Sequence, residues 1–428
     1  MARIHFGTGG WRAIIGDEFT RANVKLLSAA LARRILDESG AGKGIVVGYD
    51  RRFLSDVAAA WAAEVFAGYG ISCRVVRVKQ APTPLIMWTV KDHGLPYGMA
   101  VTASHNPALY NGIKVFTEGG RDADEAVTND IEARMEAIEA DGESAIPTIE
   151  YAKAVATGAI EEINPFNGYI DSIIDAVDMS AIREAGLHIA LDPMFGVSRT
   201  SLQTILLTAR CEVDVINDRH DTLFGGRLPS PTSAGLSALK RHVVEHGCDL
   251  GIATDGDADR IGIIDDQGNF LHPNQLLVIL YYYLLKYKGW TGPVVRNVAT
   301  TSLLDEVAEQ FGQRCYEVPV GFKWISAKMS ETDAIIGGES SGGLTVRGHI
   351  SGKDGIYAAA LLVEMLAVVG KPMSQIYAEI TGQFAPRYMA EVDLSFDAAR
   401  KPEILETLLV RRELPEFTEP VSGESYLD

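Results

Sequence analysis

Short apolar runs alternate with longer helix-like segments along most of the chain, and this alternation is the main guide to its fold. Runs of strand length lie at residues 45–47, 73–76, 98–101, 188–192, 250–253, 261–264, 294–298, 316–318 and 334–336. Segments of helical character lie between them, at residues 55–69, 84–88, 124–139, 276–287, 302–311 and 356–369. Such alternation indicates parallel sheets that are covered by helices. We predict that Ser55 and Asp56 cap the first of these helices, whereas residues 142–157 show no strong pattern.

The alternation restarts twice, which divides most of the chain into three cycles of similar length. We predict an α/β protein with three tandem related domains, each built on a mixed, mostly parallel sheet, at residues 1–165, 166–268 and 269–384. A chain of 428 residues is long enough for several domains of ordinary size. Residues 385–428 would then open a separate C-terminal unit.

A serine stands directly beyond one of the apolar runs. The run at 98–101 leads into Thr102-Ala103-Ser104-His105-Asn106-Pro107. Ligands of open α/β sheets bind beyond the carboxyl ends of strands, so Ser104 is a candidate nucleophile or acceptor. A bare serine needs a base, a cation or prior modification to react. The alternative is that Ser104 only caps the turn before Asn106-Pro107.

An acidic segment follows a second apolar run. Residues 250–253 lead into Thr254-Asp255-Gly256-Asp257-Ala258-Asp259-Arg260. Alternate carboxylates on a turning loop converge on one point, and hard oxygen ligands of this kind suit Mg²⁺. The neighbouring Arg260 offers a guanidinium fork for phosphate or carboxylate. The alternatives are a solvated acidic turn or a calcium loop, although the apolar run 261–264 stands where a calcium hand needs further oxygen ligands.

A glycine-rich segment follows a third run. It reads Gly337-Gly338-Glu339-Ser340-Ser341-Gly342-Gly343. Glycines let the backbone approach a ligand closely, and Glu339 and Ser341 can exchange hydrogen bonds with neighbouring hydroxyl groups. Taken alone, the segment is more typical of a plain glycine turn between strands.

The overall charge narrows the range of partners. The net charge is −18, from 57 acidic and 39 basic residues, and this argues against nucleic acid as a partner. No apolar stretch reaches the length of about 18 residues that a membrane span needs, so we expect no membrane partner. The cysteines lack metal-type spacing, which indicates reduced thiols in a cytoplasmic protein: Cys73, Cys211, Cys248 and Cys315.

Taken together and in this order, the three segments resemble the α-D-phosphohexomutase superfamily, above all bacterial phosphoglucomutases and phosphomannomutases. The resemblance covers nearly the whole chain. It includes residues 6–12 (FGTGGWR), 47–52 (VGYDRR), 110–114 (YNGIK), 318–323 (VPVGFK) and 352–355 (GKDG). The resemblance implies a cleft between the domains in which phosphate moves between O1 and O6 of a hexose phosphate, glucose or mannose. It also implies a phosphorylated Ser104, a hexose 1,6-bisphosphate intermediate, one Mg²⁺ per chain and glucose 1,6-bisphosphate as activator.

The resemblance assigns roles to individual residues. The expected metal ligands are Ser104, Asp255, Asp257 and Asp259. Arg12, Lys114 and Arg260 would serve the transferring phosphate, and Lys114 could also help to move a proton. For His105 the sequence favours a structural or orienting role over proton transfer. We expect no direct contact between His105 and Ser104, because adjacent residues of an extended chain point to opposite faces. The expected sugar and phosphate contacts are Glu339, Ser341, Lys323, Lys353 and Gly321.

The C-terminus departs from the resemblance. Residues 388–392 and a helix near 398–411 resemble the opening of the family's fourth domain, and the sequence predicts that this domain is either truncated or reduced to a remnant. In the family, a loop of this domain holds the phosphate that lies far from the reacting one, and losing that loop would weaken substrate binding. Two other functions therefore stay open: a magnesium-dependent phosphatase with an aspartate nucleophile, and a sugar-phosphate binder without catalysis. The sequence decides neither the oligomeric state nor the choice among glucose, mannose and glucosamine phosphates.

Overall fold

The computed structural model describes residues 4–7, 9–39, 42–77, 79–141, 146–385 and 396–413. Within these residues the chain forms three successive α/β units, each with a mixed sheet of its own. The three tandem domains predicted from the alternation pattern are therefore confirmed.

The first unit carries the longest sheet. Its strands are β1 (Trp11–Ile14), β2 (Ile45–Tyr49), β3 (Cys73–Val76), β4 (Tyr97–Val101), β5 (Tyr110–Thr117), β6 (Arg121–Asp122) and β7 (Ile160–Ile163). Its helices are α1 (Arg21–Ser39), α2 (Ser55–Gly68), α3 (Thr83–Asp92), α4 (Glu125–Asp141) and α5 (Tyr151–Ala156). The strand order is β1-β5-β4-β2-β3-β7, with β6 beside β5. Strands β4, β2, β3 and β7 run parallel, and β5 is antiparallel to its neighbours.

The second unit has a five-stranded sheet of its own. Its elements are α6 (Phe166–Ala176), α7 (Met179–Ala185), β8 (His188–Asp192), α8 (Arg199–Thr208), β9 (Glu212–Val215), α9 (Ser237–His246), β10 (Leu250–Thr254), β11 (Ile261–Ile264) and β12 (Phe270–Leu271). The strand order is β12-β11-β10-β8-β9. Strand β12 pairs with β11, so this sheet extends to Leu271, beyond the predicted boundary at 268.

The third unit completes the described part of the chain. Its elements are α10 (Pro273–Lys286), β13 (Val294–Asn297), α11 (Leu303–Gln310), β14 (Cys315–Val318), α12 (Phe322–Thr332), β15 (Ile336–Gly338), β16 (Leu344–Val346), α13 (Gly355–Val369) and α14 (Met373–Thr381). The strand order is β14-β13-β15-β16. The helix predicted near 398–411 is present as a 3₁₀ turn (Ala398–Arg400), α15 (Lys401–Leu405) and a π turn (Glu406–Val410). The strand-like residues 388–392 lie outside the described residues.

One local prediction was wrong, and one segment without a predicted element contains a short helix. Residues 142–157, for which the sequence shows no pattern, contain α5, and the Glu150 carboxylate caps it by accepting hydrogen bonds from the next turn. Ser55 does not cap α2, because the N-cap position is Leu54, in a left-handed conformation with φ of 65°. The Ser55 hydroxyl instead donates to the buried carboxylate of Asp50 at 2.8 Å. Burying a carboxylate is costly unless it accepts hydrogen bonds, so this donor stabilises Asp50.

A single apolar core crosses the boundaries between the units. It joins Ile86 of α3, Tyr169 of α6 and Ile356 of α13, all of which are buried. Because the units share this core, the loops at their sheet edges are held in a fixed relation to one another. Within the described residues, no single helix has the length and apolar character to cross a membrane; α13 and α14 meet that test only as a pair bent by 83°.

Candidate active site

Ser104 lies beyond the carboxyl end of β4, as the apolar run predicts. The chain leaves the sheet after Val101, and Ser104 adopts a left-handed conformation with φ of 52°. The backbone N–H of Ser104 donates to the Thr102 hydroxyl at 2.8 Å, which holds this unusual turn. The serine is 1% exposed. Left-handed conformations of residues other than glycine and asparagine are uncommon and concentrate at functional sites.

The Ser104 hydroxyl contacts residues from both its own loop and the second unit. It donates to Asp255 Oδ2 at 2.7 Å, and it lies 3.3 Å from Nδ1 of His105. The expectation that adjacent side chains point apart was wrong, because the left-handed turn at Ser104 ends the extended conformation on which it depended. Burial and the nearby Arg260 and Arg12 lower the pKa of His105 to about 3, so its imidazole is neutral at pH 7.

The three carboxylates of the acidic loop converge, as their alternation predicts. One oxygen from each of Asp255, Asp257 and Asp259 lies within 4.8 Å of the others, and all three side chains are buried. Burial and the two neighbouring carboxylates raise the pKa of Asp255 well above its usual range. Burial acts the same way on Asp259, but Lys114, Lys353 and Arg260 outweigh it and lower its pKa well below that range.

Two lysines supply the charge that this trio requires. Lys114 Nζ on β5 lies 2.7 Å from Oδ2 of both Asp257 and Asp259. Lys353 Nζ, from the third unit, lies 3.1 Å from Asp259 Oδ2. Burial opposes the ammonium charge of Lys114, but the two carboxylates outweigh it and raise its pKa. Lys114 is therefore a fixed positive charge here rather than a proton acceptor.

The acidic loop also retains unused hydrogen-bonding capacity. Asp257 Oδ1 and Asp259 Oδ1 are buried and find no donor among the described residues. Buried carboxylate oxygens are rarely left unsatisfied, and oxygen donors of this kind are the ligands that Mg²⁺ prefers. The trio therefore fits a divalent cation.

Two arginines at the same place present unused donors. Arg12 on β1 and Arg260 beyond the acidic loop each have a buried Nε atom without an acceptor among the described residues. Burial and the like charge of Arg260 lower the pKa of Arg12, even though the three aspartates oppose this shift. Unsatisfied guanidinium donors beside a buried hydroxyl suit an anion with several oxygens, such as a phosphoryl group.

A buried ion pair that the sequence pattern did not predict shapes the serine loop. The Arg52 guanidinium donates to the carbonyl oxygens of Ser104 at 2.5 Å, Asn106 at 2.7 Å, Pro107 at 2.9 Å and Tyr110 at 3.0 Å. Its Nε lies 3.3 Å from Oδ2 of Asp50, and that same oxygen accepts the Thr102 hydroxyl at 2.7 Å. The available signal was the charged Asp50-Arg51-Arg52 directly after the buried strand β2.

The loops of the first and second units approach closely at Gly256. A methyl group at this glycine would lie 2.8 Å from the carbonyl oxygen of Ser104, so only glycine fits without displacement. Thr83, at the start of α3, adds a second connection: its backbone N–H donates to the Asp257 carbonyl at 2.9 Å, and its hydroxyl donates to Asp257 Oδ2 at 2.6 Å.

The glycine-rich loop of the third unit adjoins the acidic loop directly. Arg260 and Gly343 form an antiparallel bridge, and the Ile261 N–H donates to the Gly342 carbonyl at 3.1 Å. Within the loop, the Ser341 hydroxyl donates to Glu339 Oε2 at 3.2 Å, while Asn297 donates to Oε1 at 3.3 Å. Both side chains are at least partly exposed to solvent, which leaves them accessible to a ligand.

Lys323 and Gly321 lie apart from this constellation. Lys323, in the first turn of α12, forms an ion pair with Glu125 of α4 in the first unit. Gly321 is the N-cap of α12 and has a φ of 127°, a conformation that favours glycine. No direct contact between either residue and Ser104 or the acidic trio is present within the described structure.

Comparison with known proteins agrees with this geometry. Residues 3–141, 167–268 and 272–384 match, respectively, alpha/beta/alpha domains I, II and III of the phosphoglucomutase/phosphomannomutase family. A Methanopyrus kandleri protein named a probable phosphoglucosamine mutase is 31% identical over 98% of this chain and 88% of its own length. The chain belongs to the phosphoglucomutase/phosphomannomutase family of α-D-phosphohexomutases.

Two further relatives agree with this family membership. A phosphoglucomutase/phosphomannomutase of Thermococcus kodakarensis is 29% identical over 94% of this chain and 86% of its own length. A solved structure of a Thermus thermophilus protein assigned as a phosphomannomutase is 32% identical, with a TM-score of 0.82 over 89% of this chain and 84% of that one. As a family member, the chain is an isomerase of the intramolecular phosphotransferase class. Ser104 lies in the matched domain I, the acidic trio in domain II and Glu339 in domain III.

Proposed function

We propose that this phosphohexomutase moves a phosphoryl group between O1 and O6 of a hexose monophosphate by way of a phosphorylated Ser104. The observation that carries the proposal is the position of the Ser104 hydroxyl, 2.7 Å from Asp255 at the edge of a buried carboxylate trio. Guanidinium donors without acceptors and two lysine charges surround the same point. A phosphoryl group at Ser104 would therefore meet positive charge on several sides.

The chemistry divides into two balanced half-reactions. In the first, the bond between phosphorus and Ser104 Oγ breaks while phosphorus bonds to a free sugar hydroxyl; the sugar oxygen loses a proton and Oγ gains one. The product is a hexose 1,6-bisphosphate. In the second, its other phosphate returns to Oγ with the opposite movement of one proton. The net change is the position of one phosphate, and we propose glucose 1,6-bisphosphate as the activator that first loads the serine.

One Mg²⁺ per chain completes the proposed site. Asp255, Asp257 and Asp259 would hold it, with an oxygen at Ser104 as a further ligand. When bound, the ion neutralises negative charge on the phosphoryl oxygens. The orphaned oxygens of Asp257 and Asp259 support this assignment.

The surrounding side chains would bind and orient the phosphoryl group. Arg12 and Arg260 direct guanidinium groups at it, and Lys114 and Lys353 keep the carboxylates charged. We assign His105 an orienting role, because a neutral imidazole 3.3 Å from the Ser104 oxygen can fix the hydroxyl but holds a proton weakly.

Recognition of the sugar falls to the third unit. Glu339 and Ser341 would bind the O3 and O4 hydroxyls, and Lys323 and Gly321 would contact a phosphate or the sugar as the cleft closes. The O3 and O4 positions are shared by glucose, mannose and glucosamine, so this loop does not separate these three hexoses. We propose residues 1–165, 166–268 and 269–384 as the functional domains, with strand β12 completing the sheet of the second, followed by the C-terminal unit 385–428.

Mass spectrometry of the whole chain tests the proposal. We expect incubation with glucose 1,6-bisphosphate and Mg²⁺ to add one phosphoryl group, which peptide mapping places on Ser104. Glucose 6-phosphate or mannose 6-phosphate should then discharge it as bisphosphate, without free phosphate. Ser104→Ala is the control that should stay unmodified. Absence of phosphate on Ser104 under every loading condition would contradict the mechanism, and stoichiometric release of inorganic phosphate would indicate a phosphatase.

A further inference from the structure

A second cluster of metal-ligating side chains lies in the second unit, away from the acidic trio. Three of the chain's nine histidines meet here around one aspartate and one cysteine: His188, His242, His246, Asp214 and Cys248. His242 and His246 lie four residues apart on α9, a spacing that metal ligands use, but the other members come from β8, β9 and the loop before β10. Only the fold brings His188, Asp214 and Cys248 together.

Asp214 is the centre of the cluster. Its Oδ2 atom lies 3.1 Å from Nε2 of His188 and 2.9 Å from Nε2 of His242. Cys248 Sγ lies 3.7 Å from the same Nε2 of His188. One nitrogen, one carboxylate oxygen and one sulfur therefore fall within 4.8 Å of one another.

The backbone around these side chains is fixed. The His188 N–H donates to the Asp249 carboxylate at 2.8 Å, and the Asp249 N–H returns a bond of 2.8 Å to the His188 carbonyl. The Cys248 N–H donates to the Val243 carbonyl at 3.0 Å. Cys248 is 2% exposed, while His188 and Asp214 are partly exposed, so an ion can enter and solvent can complete its coordination.

We propose that this cluster is a binding site for one divalent transition-metal ion of the zinc class, with His188, Asp214 and Cys248 as ligands and water in the fourth position. Imidazole and thiolate suit Zn²⁺, whereas Mg²⁺ prefers oxygen ligands. Three protein ligands and one water make a tetrahedral zinc site. Asp214, His242 and His246 form a second triad around the same carboxylate, but it lacks sulfur, and His246 is exposed.

The position of the cluster indicates its effect. His188 begins β8 and Cys248 precedes β10, whereas the acidic trio follows the opposite end of β10. A five-residue strand separates the two sites by roughly 15–20 Å. An ion here would connect β8, β9 and the loop after α9 at the end of the sheet opposite the acidic trio. It would stabilise the second unit without entering the phosphoryl site. This inference does not depend on the proposed mutase mechanism.

Cobalt spectroscopy and metal counting on the full chain, with excess Mg²⁺ present, test the proposal. We expect one tightly held Zn²⁺ per chain and, with Co²⁺ instead, a sulfur-to-cobalt charge-transfer band with tetrahedral d–d absorption. Cys248→Ser, His188→Asn and Asp214→Asn should each abolish the band. Matched controls are Cys211→Ser, a buried cysteine of the same unit, and His93→Asn; both should keep it. Zn²⁺ should raise the Tm of the wild-type chain by about 2–4 °C and leave that of Cys248→Ser unchanged.

Two results would overturn the proposal. One is a wild-type chain without the thiolate band. The other is a band or a tight zinc ion that persists in Cys248→Ser but is lost in His242→Asn, which would place the ion in the second triad. Should the variants fail to fold, alkylation of Cys248 in the wild-type chain decides the matter. Bound Zn²⁺ should slow that alkylation at least tenfold relative to Cys211, and equal rates with and without zinc would refute the site.

Discussion

The Ser104 hydroxyl donates a hydrogen bond of 2.7 Å to Asp255 Oδ2 across the boundary between the first and second units. The hydrogen that forms this bond is the one that phosphorylation replaces. A phosphoryl group on Oγ would remove the donor and place negative charge beside a buried carboxylate. Burial and the neighbouring carboxylates already raise the pKa of Asp255. The phosphorylated serine is therefore compatible with an ionised Asp255 only when positive charge lies between them.

Asp255→Asn should reduce kcat/KM by about 10²- to 10³-fold, because it keeps the size and hydrogen bonding of the side chain but removes its charge. The Mg²⁺ concentration needed for half-maximal activity should rise as well. Steady-state assays with a Mg²⁺ titration measure both changes. Asp175→Asn, an exposed position in the same unit, is the control and should behave like the wild type. Wild-type turnover in Asp255→Asn would show that this residue is not part of the catalytic site.

Arg52→Ala should lower the free energy of unfolding by about 3–5 kcal/mol, because it leaves the buried Asp50 carboxylate unpaired and frees four carbonyl groups of the serine loop. Urea denaturation measures this loss. Arg74→Ala, which breaks a more exposed ion pair with Glu161, should cost at most about 1 kcal/mol. If the double variant with Asp50→Asn loses the sum of the two single effects, the residues do not act as a pair.

His105 should make the fold less stable in mild acid. Its folded-state pKa of about 3 lies below the ordinary histidine value, so the unfolded chain binds the proton first as the pH falls. The stability that the neutral ring provides is complete above pH 6.5 and is lost as the pH falls towards 3, by at most about 2 kcal/mol between pH 6.5 and 5. His105→Gln should flatten this part of the stability curve.

Nuclear magnetic resonance measures the same property directly. The His105 ring resonances, assigned by their loss in His105→Gln, should not move between pH 8 and pH 5. A titration midpoint inside that interval would show that the ring is not held neutral.

Gly256→Ala should reduce kcat by about 10²-fold, because the added methyl group would lie 2.8 Å from the Ser104 carbonyl oxygen and push the two loops apart. The control is Gly42→Ala, at a glycine with open space around it, which should keep full activity. Kinetic assays measure the loss of activity, and circular dichroism shows whether the variant is still folded. Together they distinguish displaced loops from an unfolded chain. An active, folded Gly256→Ala would show that the loops tolerate the displacement.

The sequence predicted those parts of the site that depend on local order. Ser104 and the acidic trio each follow an apolar run. The polar residues after a buried strand lie at the edge of its sheet, and this placement does not depend on the rest of the structure. The same reasoning predicted the alternating α/β units. Convergence of the carboxylates followed from their spacing alone.

Contacts between distant segments were not predictable in this way. Nothing near Arg52 in the sequence shows that it would bind four carbonyl groups of a loop some fifty residues away. The contact between His105 and Ser104 depends on a left-handed serine, a conformation that local preferences disfavour and tertiary contacts impose. The cluster around Asp214 was missed for the same reason, since its members come from four separate segments.

The antiparallel bridge between Arg260 and Gly343 connects two loops. One would bind the sugar hydroxyls and the other carries the carboxylates, so the two loops move together. The Gly355 N–H adds a second link to the Ala258 carbonyl at 3.1 Å. A hexose that seats badly against Glu339 would therefore shift the carboxylates relative to Ser104. Discrimination against sugars that differ at O3 or O4 would then be expressed in how fast each one reacts, and only secondarily in how tightly it is held.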